Sequence, residues 1–341
     1  MAADPAAFLF TPTDWRAKLV QLYDAEARRL QSAYQRTLRR LELQHGEFAS
    51  ALAELERTGT LTAQAVRDLP ATARLMAALD TELDGFARYL DGQLGGMADD
   101  ALQLGAQAAE AMTFAASGTA QAIVQAAWRR PDPEMLARMV RYVDSPAMRR
   151  GLARFGEAAV EQLSDTLLAL TAQGKGSRAI ASAMRNGFDV PYSWAESIAR
   201  TTQAYSYRGA SVASYRVNSD IVRGWRWIAS LDRRTCAHCV AEHGTLHKLD
   251  EDFSSHHRCR CTAVPEVIGS RLFEDMETGP MWFDRQSTGL QRQMLGRSKY
   301  DAYQSGAWDW SAASAHYDSE IFGQMRREAT LIEMGLPRVK R

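Results

Sequence analysis

The chain's four cysteines stand in one stretch beside a histidine pair, as Cys236-Ala237-His238-Cys239 and His256-His257-Arg258-Cys259-Arg260-Cys261. Thiolate and imidazole are the ligands zinc takes, four at a time and tetrahedrally. A Cys-x-x-Cys pair chelates one ion from a tight turn, and the remaining ligands must return from a second turn. Nineteen residues separate Cys239 from Cys259, enough for a β-hairpin between two such knuckles. Disulfide frameworks distribute cysteines along a chain, so this bunching points first to metal chemistry.

The candidates exceed four. Cys236 and Cys239 form the first knuckle, and two or more of His256, His257, Cys259 and Cys261 form the second. We favour Cys236, Cys239, His256 and Cys259, with Cys261 the strongest reserve. His238, His243 and His247 read as solvent-facing or hairpin residues. A structural zinc contributes about 10–16 kcal/mol of apparent folding free energy, which suits a short polar segment with few residues for a core. Four reduced cysteines packed as small hydrophobes and a disulfide or redox pair are the competing readings. A catalytic zinc needs an open position and a general base. Glu242 and Asp232 are near in sequence, but no second acidic constellation accompanies them, so no catalytic residue, enzymatic activity or organic cofactor is assigned.

The elements that must position this cluster change character along the chain. After Asp14, Trp15, Leu19, Leu22, Tyr23, Leu30, Tyr34 and Leu38 recur near helical spacing, with charge between them, which predicts a long amphipathic helix. Further helices are expected over Ala63–Leu94, ended by Gly95-Gly96. Others are expected over Ala101–Trp128, interrupted at Gly118, over Pro133–Val143 and over Pro146–Ala172. After the Gly174-Lys175-Gly176 turn come a helix from Ser177, an extended link over Phe188–Tyr192, and a long helix over Ser193–Asn218. Ile221–Ala229 is strand-like, with Trp225 and Trp227 on one face and Arg223 and Arg226 on opposite faces. Short strands are expected near 244–249 and 261–267, followed by mixed helix and loop and a basic tail. The fold class is α+β, mainly helical, with long N-terminal helices and a small β-hairpin/zinc-knuckle module in the C-terminal half. Three regions are expected: a helical assembly region over 1–170, a domain over 171–310 holding the metal module at 221–267, and a tail over 311–341.

Lys plus Arg number 41 and Asp plus Glu 41, for a formal net charge of zero. Proteins that coat nucleic acid carry a basic excess, so that role is disfavoured as the main one. No apolar stretch is long enough to span a bilayer. The start of the chain has acid and proline where a signal peptide needs a basic start and an apolar run.

The stretch from Ile198 to Val264 resembles the phage head-morphogenesis family typified by the phage Mu F protein. The family's A-R-T-E-like element appears as Ala199-Arg200-Thr201-Thr202. Its L-D-x-R-T-C-x-x-C element appears as Leu231-Asp232-Arg233-Arg234-Thr235-Cys236-Ala237-His238-Cys239. Its H-P-x-C-R-C-x-x-x-P element appears as His256-His257-Arg258-Cys259-Arg260-Cys261-Thr262-Ala263-Val264-Pro265. A W-F-x-x-Q segment follows at Trp282-Phe283-Asp284-Arg285-Gln286. Two positions depart from the pattern: Thr202 replaces the acid, and His257 replaces the proline. The resemblance implies a minor head protein of a tailed phage or prophage, made in the host cytoplasm and placed inside the head at the portal vertex. The implied partners are the portal protein, a scaffold or major capsid protein, and phage DNA. A zinc-dependent nucleic-acid-binding protein or nuclease is the alternative.

Overall fold

A computed structural model describes residues 5–139 and 145–337. The chain is mainly helical, opening with a 53-residue helix and carrying its strands in the C-terminal part. In chain order the helices are α1 (Pro5–Arg57), α2 (Ala63–Asp68), α3 (Pro70–Ala116), α4 (Gln121–Ala127), α5 (Pro133–Met139), α6 (Pro146–Ala153), α7 (Phe155–Ala172), α8 (Ser177–Gly187) and α9 (Asp189–Val217). Then come β1 (Val222–Ile228), α10 (Ala237–Glu242), β2 (Leu246–His247), β3 (Thr262–Val267), α11 (Gly279–Asp284), α12 (Thr288–Gln304), β4 (Ser314–Ser319) and β5 (Gly323–Glu328). Among the described residues no helix is long and apolar enough to cross a membrane.

Two compact units are present. One comprises Tyr23–Met97 and Val143–Arg200; the other comprises Met1–Leu22, Ala98–Tyr142 and Thr201–Arg341. The helices α1, α3 and α9 each contribute to both units.

The first unit is all helix. Its centre is aromatic: Tyr34 meets Phe86 edge-on at 4.9 Å, and Phe155 stacks on Trp194 at 4.7 Å. The Tyr34 hydroxyl donates to the Phe188 carbonyl, and burial raises its pKa. Three sequence expectations are corrected here. The helix expected to stop at Gly95-Gly96 continues to Ala116. Both glycines face solvent, while Leu90, Leu94, Met97 and Ala101 are buried on the other face. A cost of about 1 kcal/mol per glycine is outweighed by that packing. The link expected over Phe188–Tyr192 is helical from Asp189, with Pro191 accommodated in the first turn, where its missing N–H is not needed. The helix expected over Pro146–Ala172 breaks at Arg154 into α6 and α7. The end of the helix expected over Pro133–Val143 and the last four residues of the basic tail lie outside the described residues.

The second unit holds the strands. β1 is central, antiparallel to β2 on one side and β3 on the other, in the order β2-β1-β3. Pro265 sits opposite Trp225 in β3, an edge strand where a missing N–H is tolerated. Trp225 and Trp227 are buried on one face, as their spacing predicts, and Phe253 stacks on both at 5.1 and 3.9 Å. Arg223 and Arg226 both reach the buried carboxylate of Glu266. The alanine-rich part of α3 packs tightly on α9: a Cβ at Gly105 would stand 2.1 Å from the Tyr207 carbonyl oxygen. A second, two-stranded sheet, β4-β5, occupies a region read from sequence as mixed helix, loop and tail.

Candidate metal centre

The first knuckle is built on α10. Asp232 organises the approach: its carboxylate accepts from the Arg234 N–H at 2.8 Å, and its N–H donates to Thr235 Oγ1 at 2.9 Å. Cys236 is the N-cap of α10 and makes no capping bond with its thiol, which leaves the sulfur free. Cys239 follows three residues later, so both thiols lie on one side of the helix. The Glu328 carboxylate of β5 accepts from the Ala237 N–H at 3.1 Å, placing negative charge at the start of α10.

The second knuckle turns at Arg258, whose φ of 57° is left-handed. The Arg258 N–H donates to Thr201 Oγ1 at 3.2 Å, and the Cys259 N–H donates to the His256 carbonyl at 3.3 Å. Behind the turn lies Arg208 of α9, only 2% exposed. It donates Nε–H to the Cys261 carbonyl at 2.8 Å and Nη2–H to the Cys259 carbonyl. The two knuckles are tied together by Arg260, whose guanidinium makes a two-pronged contact with Asp232 at 2.5 and 2.6 Å. That pairing holds the Asp232 carboxyl well below the usual carboxylate range.

Five of the six candidate side chains converge. Cys236 Sγ and Cys239 Sγ each lie 3.2 Å from His256 Nε2, and Cys239 Sγ lies 3.7 Å from Cys259 Sγ. Two groups of three could hold a metal ion: Cys236, Cys239 and His256, and Cys239, Cys259 and Cys261, with ligand atoms within 4.8 Å of one another in each. Cys239 belongs to both. Two thiolates on one tetrahedral zinc stand about 3.8 Å apart, given Zn–S bonds of about 2.3 Å. The Cys239–Cys259 separation matches that edge, and with His256 Nε2 against two of the sulfurs the donor set fits a metal of this type. The His256 ring is also set for ligation. Its Nδ1 lies 2.8 Å from the His257 carbonyl, so Nδ1 donates there and Nε2 is the nitrogen that faces the sulfurs and would ligate once a metal displaced its proton.

Electrostatics agree with a site of shared protons. The Cys236 thiol is pulled down to about 4, first by its hydrogen bond with Cys239 and then by His256. Burial opposes charge on His256, but the adjacent thiolates of Cys236 and Cys259 outweigh it and raise the imidazole to about 11. Cys259 is also lowered: burial works against its thiolate, and hydrogen bonds from Cys239 and Cys261 prevail. Cys239 and Cys261 are pushed up. A bound cation takes the place of these protons, so its hold strengthens with rising pH.

His257 does not join the cluster. Its ring lies edge-on to Phe322 at 5.3 Å and near Tyr317, with Nδ1 3.5 Å from Thr201 Oγ1. Of the histidines expected as solvent-facing or hairpin residues, His247 lies in strand β2 and the other two are buried. His238 is fully buried, with Nδ1 2.6 Å from Ser314 Oγ of the unforeseen β4-β5 hairpin. His243 is buried and accepts the Ala229 N–H at Nδ1, 3.0 Å away. His247 is stacked on Trp225 at 4.2 Å and bridges Glu242 and Glu251. Thr202, standing where the resembled family has an acid, is buried. Sequence reasoning missed Arg208 and the role of Asp232. Arg208 carries no motif, whereas Asp232 and Arg260 each stand inside a quoted motif and differ in charge, which was a usable signal.

The family model described as Phage Mu protein F like protein matches residues 161–264, from within α7 to within β3. That range takes in all five converging side chains and covers under a third of the chain. No curated protein and no solved structure matches it. Over residues 161–264, therefore, the chain is similar to Phage Mu protein F like proteins.

Proposed function

We propose that the chain is a minor head protein of a tailed phage or prophage, acting in head morphogenesis, and that residues 221–267 form a module stapled by one structural zinc. The observation that carries the reading is coincidence: the family match over 161–264 ends within β3, just past the convergent Cys/His cluster. Cys236, Cys239, His256 and Cys259 are the ligands of this proposal. Cys236, Cys239 and Cys259 each contact His256, or one another through Cys239, whereas Cys261 joins only Cys239 and Cys259. Zinc would supply cross-linking between the α10 knuckle and the β3 knuckle. Cys239, Cys259 and Cys261 are buried, and Cys236 and His256 are half-buried, which favours a closed structural site over one with an open catalytic position.

The assembly role places the protein in the host cytoplasm first and then inside the head at the portal vertex. The portal protein is the proposed partner, with scaffold, major capsid protein and phage DNA as further contacts. The test is biochemical. Mature heads purified from a producing host should contain the chain in copies matched to the portal vertex, and particles made without it should lose infectivity. Heads that lack the chain and remain fully infectious would refute the role. DNA binding with a steep salt dependence, and no association with heads, would favour the nucleic-acid alternative.

A further inference from the structure

Beside the sheet lies a cavity of about 350 Å³ that none of the above uses. Its size is within the range of small-molecule sites, roughly 300–1,000 Å³. Its apolar wall is formed by Ile228, Leu231, Leu272, Phe273 and Met276. Of the polar side chains that line it, Arg16, Ser230 and His243 offer unspent donors. Arg16 makes no hydrogen bond or ion pair with any described residue, and its Nε is buried without a partner. Ser230 Oγ is also buried without one. His243 accepts the Ala229 N–H at Nδ1, so the neutral ring carries its proton on Nε2, for which no described residue is an acceptor.

The acidic groups at the cavity do not meet these donors. Glu277 is held by Arg285 through two contacts of 2.6 Å, Arg271 is engaged by Glu274, and Asp275 is exposed. The Arg16 guanidinium is half-buried with its Nε enclosed, the thiols of Cys261 and Cys259 act on it only through space, and no carboxylate of a described residue meets it, so an anion in contact would complete it. Arg16, Ser230 and His243 together with the apolar wall define the missing occupant, with Asp275 and Glu277 also in the lining. We propose that this cavity binds a small organic anion, a carboxylate or phosphate monoester on an apolar body, with the anionic group on Arg16, Ser230 and His243.

The test is titration calorimetry on the full-length, metal-loaded chain with octanoate, phenyl phosphate, 1-octanol and inorganic phosphate. One organic anion or both should bind saturably at one site. 1-Octanol, which forgoes hydrogen bonds to a charged group, and inorganic phosphate, which forgoes burial of an apolar body, should each bind about tenfold or more weakly than the organic anions. Arg16→Met should weaken the organic anion about tenfold and leave the metal content unchanged. Absence of saturable binding by both organic anions would overturn the proposal. So would inorganic phosphate binding as tightly as phenyl phosphate, which would remove any role for the apolar wall. An Arg16→Met chain that loses metal yet binds anion like the wild type would show Arg16 to be the counter-charge of the thiolates instead. If Arg16→Met does not fold, Leu272→Trp fills the cavity while keeping Arg16; octanoate binding should disappear in it, and undiminished binding would refute the site.

Discussion

Around Cys239 the chain buries sulfur and charge; around Tyr34 it buries rings. The cysteine module surrounds its cluster with a fully buried arginine, two histidines and a two-pronged Asp232–Arg260 pair. The all-helical unit is centred on Tyr34, Phe86, Phe155 and Trp194. Aromatic packing is non-directional and needs no ligand. Converging thiols and an imidazole are favourable only if protons or a metal settle their charge. One unit should therefore respond to metal and pH, and the other to lost volume.

The largest effect is expected at Cys239, the thiol shared by both three-residue groups. Cys239→Ser should abolish stoichiometric metal binding and the near-UV signal of Trp225 and Trp227 while most of the far-UV helical signal survives. The metal's contribution, about 10–16 kcal/mol, exceeds what so small a module can spare. Full metal retention in this variant would break the contrast between the two units. Next comes Phe86→Ala, expected to cost about 3–5 kcal/mol in denaturant unfolding by emptying the aromatic centre. Its metal content should match the wild type, because no ligand lies in that unit.

An intermediate effect is expected from pH. His243 is held down to about 4, by burial first and by the nearby Arg16 cation second. The unfolded chain takes up this proton near pH 6.5, and the folded chain only near 4. No penalty exists above about pH 6.5. Stability should fall as pH drops from there to about 4, by up to about 3 kcal/mol, and level off below. His243→Gln should reduce that slope, leaving the part from His238 and His257, which burial also lowers; a slope unchanged in the variant would count against the assignment. The smallest effect is expected at His257, which lies against Phe322. His257→Ala should leave metal stoichiometry intact and cost under about 1 kcal/mol. Loss of metal from it would add a ligand the geometry does not include.

The same contrast governs how much could be read from residues alone. Ligand chemistry is local and depends on spacing, so Cys236-x-x-Cys239 and the His256 to Cys261 run announced themselves. The α+β class and the shared face of Trp225 and Trp227 followed from periodicity. Helix limits did not, because they depend on packing that propensity cannot see: Gly95 and Gly96 are breakers by type, yet their neighbours Leu94 and Met97 are buried and keep α3 intact. The partners that complete the module were hidden for a related reason. Arg208 lies some 50 residues from the carbonyls it binds. The β4-β5 hairpin covers His238 from a segment whose pattern is only weakly strand-like. Long-range closure gave no local signature, and His238, expected as a solvent-facing or hairpin residue, is fully buried.

The most direct measurement is zinc-edge X-ray absorption on the purified full-length chain, combined with metal analysis. The expected result is one zinc per chain with three sulfurs at about 2.3 Å and one nitrogen at about 2.0–2.1 Å, the set Cys236, Cys239, His256 and Cys259. A shell of four sulfurs would replace His256 by Cys261. Absence of stoichiometric metal, with the module still folded, would contradict the structural zinc itself.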